Sequence, residues 1–112
     1  MSIEKAKAHY TGKALPRLNC AEAVAHAFKE KFKLTDDDLA RFGFWGGGKA
    51  PEGECGSLHA ARVLQAKLSK EGAPEQAFLS LAGSTKCRDI RKSGKISCVK
   101  CVELMADYVD KL

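Results

Sequence analysis

The spacing of hydrophobic residues along the chain predicts a protein built from α-helices. From Cys20 onward, apolar side chains recur three or four positions apart, at Val24 and Phe28 among others, and the same spacing runs from Cys98 to Val109. Side chains at these intervals share one face of an α-helix, which can then pack against a core. The alternation of apolar and polar residues that marks a β-strand does not persist beyond a few residues. We therefore predict an all-α fold.

Capping and breaking residues divide this pattern into about six helices. Ser, Thr and Asn side chains cap helix starts, proline suits the first turn, and glycine ends helices. We predict that residues 1–112 form one compact single-domain bundle of about six helices, with a glycine-rich loop before the central helix. The predicted starts are Ser2, Pro16 or Asn19, Thr35, Leu58, Pro74, Ser84 or Thr85, and Ser97, and the predicted stops are Gly12, Gly72, Gly83 and Gly94.

The glycine-rich loop runs from Gly43 to Ser57. It holds the only tryptophan, Trp45, and it delivers Cys55 to the start of the helix predicted from Leu58 to Lys70. Glycine lets a backbone approach a ligand or another backbone closely. The loop is therefore either a cradle that holds an anionic group or activates a thiol, or a tight connection that ends in a buried cysteine.

Four of the five cysteines fall at or near a predicted helix start. The free N–H groups and the positive dipole end of a helix favour a thiolate, which predicts lowered pKa values for these thiols. If the four converge in the fold, they suit an iron–sulfur cluster, a zinc ion or reversible disulfides. The alternative for each cysteine is a small buried hydrophobe. The four are Cys20, Cys55, Cys87 and Cys98, and the fifth is Cys101.

Spacing alone does not assign the cysteines to a known short motif. Cys98 and Cys101 form the only Cys-x-x-Cys pair. No second pair stands at zinc-ribbon distance, and the strand that thioredoxin chemistry requires is not predicted. Hydrolase and transferase motifs are also missing. The chain has no glycine-flanked serine of the kind found in hydrolases. The glycine loop does not match a phosphate-binding loop, since Lys49 is followed by Ala50 and not by a hydroxyl residue. An oxidoreductase is the one enzyme class that the cysteines leave open.

Charge and composition argue against two classes of binding partner, nucleic acids and membranes. The net charge of +5 is spread over several helices without interleaved aromatic residues, which argues against nucleic acid. No apolar run is long enough to cross a membrane, and the N-terminus lacks a signal-peptide core. We therefore predict no membrane association and a cytoplasmic location, where thiols stay reduced. Between Lys86 and Lys100, six basic residues stand against one acid, Asp89.

Several blocks of the sequence occur in an order and at spacings that are found together in one family. The blocks resemble the C_GCAxxG_C_C family, small bacterial and archaeal proteins that are described as redox-active because of four characteristic cysteines. One departure is that the family's Cys-Gly-Ala-x-x-Gly becomes Cys55 to Ala60, with Ser57 in place of alanine and Ala60 in place of glycine. The blocks are Asn19-Cys20-Ala21-Glu22-Ala23-Val24, Gly43 to Gly48, Gly53-Glu54-Cys55-Gly56-Ser57, Gly83-Ser84-Thr85-Lys86-Cys87-Arg88, and Cys98.

The resemblance implies one shared cysteine site and a redox role. A related domain in split-Soret cytochromes has an iron–sulfur site, so we predict electron transfer or redox sensing through an iron–sulfur cluster. Phe44 and Trp45 would shield the cluster from water. The predicted ligands are Cys20, Cys55, Cys87 and Cys98, with Cys101 as an extra thiol or an alternative to Cys98, and the predicted backbone donors to the cofactor are Gly46, Gly47, Gly48 and Gly56.

Two alternatives to the cluster stay open. One is a metal-free thiol–disulfide protein in which the same four cysteines are redox-active and Cys101 acts as a resolving thiol. The other is a structural or interaction module that a zinc ion staples together. In the cluster hypothesis, Arg88, Arg91 and Lys92 would offset the anionic cluster and dock an acidic redox partner protein. A homodimer is consistent with a small helical domain.

Overall fold

A computed structural model describes residues 2–14, 17–45, 49–50, 53–67, 74–94 and 96–112, and these residues form seven α-helices. A short 3-10 helix, Gly43–Trp45, extends α3, and the described residues contain no β-strand beyond an isolated bridge between Glu54 and Lys86. The prediction of an all-α fold is confirmed. The helices are Ser2–Thr11 (α1), Cys20–Ala27 (α2), Asp36–Phe42 (α3), Gly56–Lys67 (α4), Pro74–Ala82 (α5), Cys87–Ser93 (α6) and Cys98–Asp110 (α7).

Side-chain caps start α2, α3 and α7 where the sequence predicts them. Asn19, rather than Pro16, caps α2 through a reciprocal pair of hydrogen bonds with Glu22. Thr35 and Asp38 form the same capping box at the start of α3. Each box satisfies N–H groups that the first turn of a helix leaves without a partner, so local sequence suffices to start these helices.

Three helix boundaries differ from those that the sequence indicates. Helix α4 begins at Gly56, two residues before the predicted start at Leu58. Helix α2 stops at Ala27, and the chain continues as irregular turns until Lys33, which has a φ of 53°. The Leu34 N–H then donates to the Lys29 carbonyl at 2.9 Å, which closes the turn and returns Leu34 to the core. Lys86, instead of Ser84 or Thr85, occupies the N-cap position of α6; it makes no side-chain cap hydrogen bond and lies in the bridge to Glu54.

The core lies where α1, α2, α4 and α7 pack together. Helix α7 packs against α1, α2, α4 and α5, so it lies in the middle of the helix bundle. Val24, Leu58, Leu64, Val102 and Met105 are fully buried at these contacts. Burying a side chain of this size stabilises the fold by about 1.5–3 kcal/mol. The helices therefore form a single globule, with a radius of gyration of 12.5 Å.

No helix within the described ranges is both long enough and apolar enough to cross a membrane.

Candidate functional site

An antiparallel bridge joins the segment before α4 to the segment before α6, and each segment leads into a predicted site cysteine. Glu54 and Lys86 form the bridge, and the Cys55 N–H donates to the Thr85 carbonyl at 2.8 Å. Each bridge residue is followed directly by a cysteine, Cys55 or Cys87. Because the bridge aligns the two backbones, it brings the starts of α4 and α6 together. This contact joins residues about thirty positions apart, and no short-range pattern in the sequence predicts it.

A buried ion pair holds the Glu54 side of the bridge. Glu54 is buried, and its carboxylate accepts a hydrogen bond from the Arg62 guanidinium on α4. Arg62 Nε also lies 3.3 Å from Glu75 Oε2 on α5. The hydrogen bond with Glu54 raises the pKa of Arg62 above its ordinary value. A buried carboxylate without such a partner would be costly.

The four cysteines that the sequence places at helix starts do lie there. Cys20, Cys87 and Cys98 are the first residues of α2, α6 and α7, and the Cys55 carbonyl accepts the first hydrogen bond of α4 from the His59 N–H. Cys98 is half-buried and the other thiols are buried, including Cys101 one turn into α7. All five cysteines belong to the described residues, and none of them forms a disulfide.

Cys55 is the centre of the thiol contacts. Its thiol interacts through side-chain hydrogen bonds with Cys101 on α7 and Cys20 on α2, and its sulfur lies 3.0 Å from Ser57 Oγ. The contact with Cys101 raises the pKa of Cys55, and burial adds to the rise, while Cys20 and Ser57 lower it. The net result is a pKa of about 11 for Cys55.

Cys98 has a different environment, made of two hydrogen-bond donors. The Arg91 guanidinium on α6 and the Tyr10 hydroxyl on α1 both hydrogen-bond to its sulfur. The contact raises the pKa of Arg91, and burial followed by the Cys98 contact raises the pKa of Tyr10. The phenol therefore stays protonated and donates.

Cys87 shows that burial outweighs the helix dipole at this site. Burial raises the pKa of the Cys87 thiol, the charges of Cys98 and Cys20 raise it further, and Arg91 lowers it. For Cys55 and Cys87 the prediction of lowered thiol pKa values is therefore wrong. The N-terminal dipole stabilises a thiolate by about 1 kcal/mol, whereas removing a charge from water costs more than that.

Among the described glycines of the loop, Gly56 stands where the backbone packs too closely for a side chain. A Cβ atom at Gly56 would lie 2.7 Å from Cys20 Sγ and 2.5 Å from the Trp45 carbonyl oxygen. Both distances are too short for any side chain, so only glycine lets α4 start against the Cys20 sulfur. The predicted cofactor contacts at Gly46, Gly47 and Gly48 lie outside the described residues.

The two aromatic residues predicted to shield a cluster, Phe44 and Trp45, have different environments. Trp45 is half-buried, and its ring packs edge-on against Phe42 at 5.2 Å and His59 at 4.4 Å between centroids. Phe44 is 73% exposed and points into solvent instead. The 3-10 helix rotates successive side chains by about a third of a turn, so two neighbours cannot both face the core.

Cysteine thiols are suitable ligands for a metal, but the described residues do not arrange them around a common metal position. Thiols are the ligands of iron–sulfur clusters and of structural zinc. Among the described residues, however, no three His, Cys, Asp or Glu side chains are arranged so that they could hold a metal ion. The contacts around Cys55 are pairwise, and binding a metal would require the thiols to move closer together. The iron–sulfur cluster and the zinc ion therefore stay predictions from sequence.

Three site residues are missed or undervalued from sequence alone. Tyr10 is predicted only as part of an apolar stripe, Arg91 only as a general positive charge, and Cys101 only as an extra thiol. Their roles depend on contacts between α1, α6, α7 and the start of α4. One signal was available for Cys101, because it stands one helical turn after Cys98 on the same helix.

A separate basic cleft lies away from the cysteines, between α1, the end of α2 and the end of α7. It has a volume of about 360 Å³, and its lining includes Lys5, His9, His26, Lys29 and Lys31. Burial lowers the pKa of His26, and the charges of His9, Lys29 and Lys5 lower it further. Lys31 is already engaged, since its Nζ donates to the Asp110 carbonyl at 3.0 Å. None of the cysteines lines this cleft.

Comparison of the chain with protein-family models, with curated proteins and with solved structures found no match. The resemblance to the C_GCAxxG_C_C family therefore stays a prediction, and the function has to be argued from the site itself.

Proposed function

We propose that this chain is a thiol–disulfide redox protein that stores two electrons in a reversible bond between Cys55 and Cys101. The observation that carries the proposal is that the Cys55 thiol contacts the thiols of both Cys101 and Cys20 in the core. Of these contacts, the one with Cys101 has the largest effect on the pKa of Cys55. Adjacent thiols in a packed interior are the arrangement that disulfide formation needs.

The chemistry balances with a disulfide as the oxidant. The Cys55 and Cys101 thiols lose two protons and two electrons as their S–S bond forms. The incoming disulfide takes up both electrons and leaves as two thiols. The reverse reaction, with a thiol as reductant, restores the dithiol. Since Cys55 lies before α4 and Cys101 in α7, the bond would link two helices that already pack together.

Mass spectrometry tests this proposal directly. The reduced protein is treated with a disulfide oxidant, quenched with an alkylating reagent and digested. We expect the loss of two hydrogen atoms from the intact protein and a linked pair of peptides that contain Cys55 and Cys101. Cys55→Ser and Cys101→Ser should each abolish the linked pair. A linked pair of Cys55 with Cys20, or five thiols that all stay alkylatable, would contradict the assignment.

One variant separates this proposal from the predicted iron–sulfur cluster. Cys101 is essential to the disulfide, whereas in the cluster predicted from sequence it is either an extra thiol or an alternative to Cys98, so a cluster that needs it would be lost in Cys101→Ser but present in the wild type. Anaerobic purification followed by iron, sulfide and zinc analysis should therefore be carried out on the wild type and on Cys101→Ser. Stoichiometric iron and sulfide in the wild type would favour the cluster. Metal-free protein whose disulfide disappears in Cys101→Ser supports the proposal.

A further inference from the structure

We propose that Cys98 is the thiol that reacts first with an incoming disulfide, and that this disulfide is anionic. Arg91 and Tyr10 assist by holding the Cys98 sulfur between two donors at the start of α7. The inference rests on the proposed thiol–disulfide function. It adds the point of attack and the class of substrate, neither of which follows from a buried pair of thiols.

Accessibility selects Cys98 from the five cysteines. Cys20, Cys55, Cys87 and Cys101 are buried, and Cys101 is only 1% exposed. Cys98 is half-buried, so its sulfur can meet a reagent without unfolding of the core. An in-line attack on a disulfide needs room for three sulfur atoms, which only a partly exposed thiol provides.

Two hydrogen-bond donors from neighbouring helices meet at the Cys98 sulfur. The Arg91 guanidinium supplies a charge-assisted hydrogen bond, and the Tyr10 hydroxyl supplies a second, neutral one. Ser97 caps α7 by accepting a hydrogen bond from the Lys100 N–H at 3.1 Å, so Cys98 occupies the first turn, where helix N–H groups point outward. These donors would also stabilise the transition state, in which charge is shared along the row of sulfurs.

The surface beside Cys98 carries an excess of positive charge. Arg88, Arg91 and Lys92 are exposed along α6, and Lys100 is exposed on α7. The one acid of α6, Asp89, is exposed as well and accepts a hydrogen bond from Ser84 Oγ at 3.2 Å. Such a surface attracts anions and repels cations. The substrate class that it fits is a disulfide bearing carboxylates, such as a small acidic peptide disulfide.

Electrons pass from the buried pair to the incoming disulfide in three exchanges that conserve atoms. The Cys98 thiolate attacks the incoming disulfide, a mixed disulfide forms, and one substrate thiolate leaves. The Cys101 thiol, one turn along α7, displaces the second substrate thiol and forms a Cys98–Cys101 bond. Cys55 then attacks Cys101, forms the final disulfide and returns Cys98 to a thiol. Two protons pass to the departing thiols.

The test compares probes of opposite charge on the reduced full-length protein. Oxidised glutathione is the anionic probe, 2-hydroxyethyl disulfide the neutral one and cystamine the cationic one. Brief reaction, acid quenching and peptide mapping identify the first mixed disulfide and its rate. We expect modification first at Cys98, faster with the anionic probe than with the neutral one, and slowest with the cationic probe. The advantage of the anionic probe should shrink as salt is added.

Variants of the two donors give the decisive readout. Arg91→Met should slow the anionic probe about 10-fold, which corresponds to about 1.4 kcal/mol for the lost charge-assisted hydrogen bond. Arg91→Lys should recover part of that loss, while Tyr10→Phe should slow all three probes by a similar factor. Arg88→Met is the matched control, because it removes the same charge from the same helix, three residues earlier. Thermal unfolding of each variant checks that the fold is intact.

The outcomes separate this inference from the proposed function. If Cys98→Ser is modified elsewhere at the wild-type rate, or if Arg91→Met and Arg88→Met behave alike, the role of Cys98 and Arg91 is refuted. In that case the Cys55–Cys101 disulfide can still form with an oxidant such as diamide. If Cys98 forms a lasting mixed disulfide and no internal disulfide ever appears, the proposed function fails and Cys98 remains the reactive thiol.

Discussion

At the scale of single residues, Gly56 shows how closely the thiol site is packed. The residue begins α4, and the space that a side chain would need is taken by the Cys20 sulfur and the Trp45 carbonyl oxygen. The carbonyl belongs to the backbone and cannot rotate away. The absence of a side chain therefore sets the distance between α2 and the start of α4.

Gly56→Ala should accordingly destabilise the protein although alanine favours helices. We expect a loss of about 1–3 kcal/mol in the free energy of unfolding, which is typical of overpacking. Gly43→Ala is the matched control, because its Cβ would meet nothing closer than Glu22 Oε2 at 3.4 Å. Urea denaturation measures both. Equal stability of the two variants would contradict the close packing at Gly56.

His26 illustrates a residue whose surroundings make stability depend on pH. Burial, His9, Lys29 and Lys5 lower its pKa below the ordinary 6.5, and Glu22 opposes them. The unfolded chain then binds a proton more readily than the folded one, so stability is complete above pH 6.5 and falls as the pH drops towards the lowered pKa. His59 shifts in the same direction, through burial and Arg62.

His26→Gln should therefore flatten the pH dependence of stability. Because His26 is partly exposed, we expect the difference between pH 7.5 and pH 5 to shrink by only about 0.5 kcal/mol. Denaturation curves at both pH values provide the measurement, and the slope that persists in the variant is assigned to His59 and other groups. An unchanged slope would show that the lowered pKa of His26 has no effect on stability.

At the scale of elements, the bridge between Glu54 and Lys86 decides how helix starts meet. It aligns the segments before α4 and α6, and Arg62 holds it by neutralising Glu54. Helices supply the thiols, yet an irregular pair of segments sets their relative position. The bridge is therefore part of the site, although it carries no thiol itself.

Arg62→Met should loosen this arrangement. It leaves the buried Glu54 carboxylate without its charged partner, which we expect to cost about 1–2 kcal/mol after allowance for the partial exposure of Arg62. The yield of the Cys55–Cys101 disulfide should fall as well. Arg41→Met, which removes an exposed arginine from α3, is the control. Identical stability and disulfide yield in both variants would show that the ion pair does not support the site.

At the scale of the whole molecule, five thiols from four separate segments gather around the starts of α2, α4, α6 and α7. The convergence results from α7 packing against both α2 and α4. It places Cys101 against Cys55 in the interior and Cys98 near the surface. Helix α7 thus carries both a buried thiol, Cys101, and a half-buried thiol, Cys98.

Oxidation should stabilise the whole fold. A Cys55–Cys101 bond closes a loop of more than forty residues, and the loss of chain entropy in the unfolded state favours the native state by about 4 kcal/mol at most. Urea unfolding with and without reductant should show a higher midpoint for the oxidised wild type. Cys101→Ser should show no such difference. A lower midpoint on oxidation would indicate that the bond distorts the packing of α4 against α7.

Patterns within short stretches of the chain predict the class of fold, most helix boundaries and the position of four cysteines at helix starts. These features depend on contacts within a few residues, such as the capping boxes at Asn19 and Thr35 and the positive φ of Gly94. The tertiary structure decided which thiols meet, that Cys101 is among them, and that Arg91 and Tyr10 contact Cys98. It also reversed the predicted pKa shifts of Cys55 and Cys87. Burial and long-range contacts arise only when distant segments pack, so the pattern around each cysteine does not contain them.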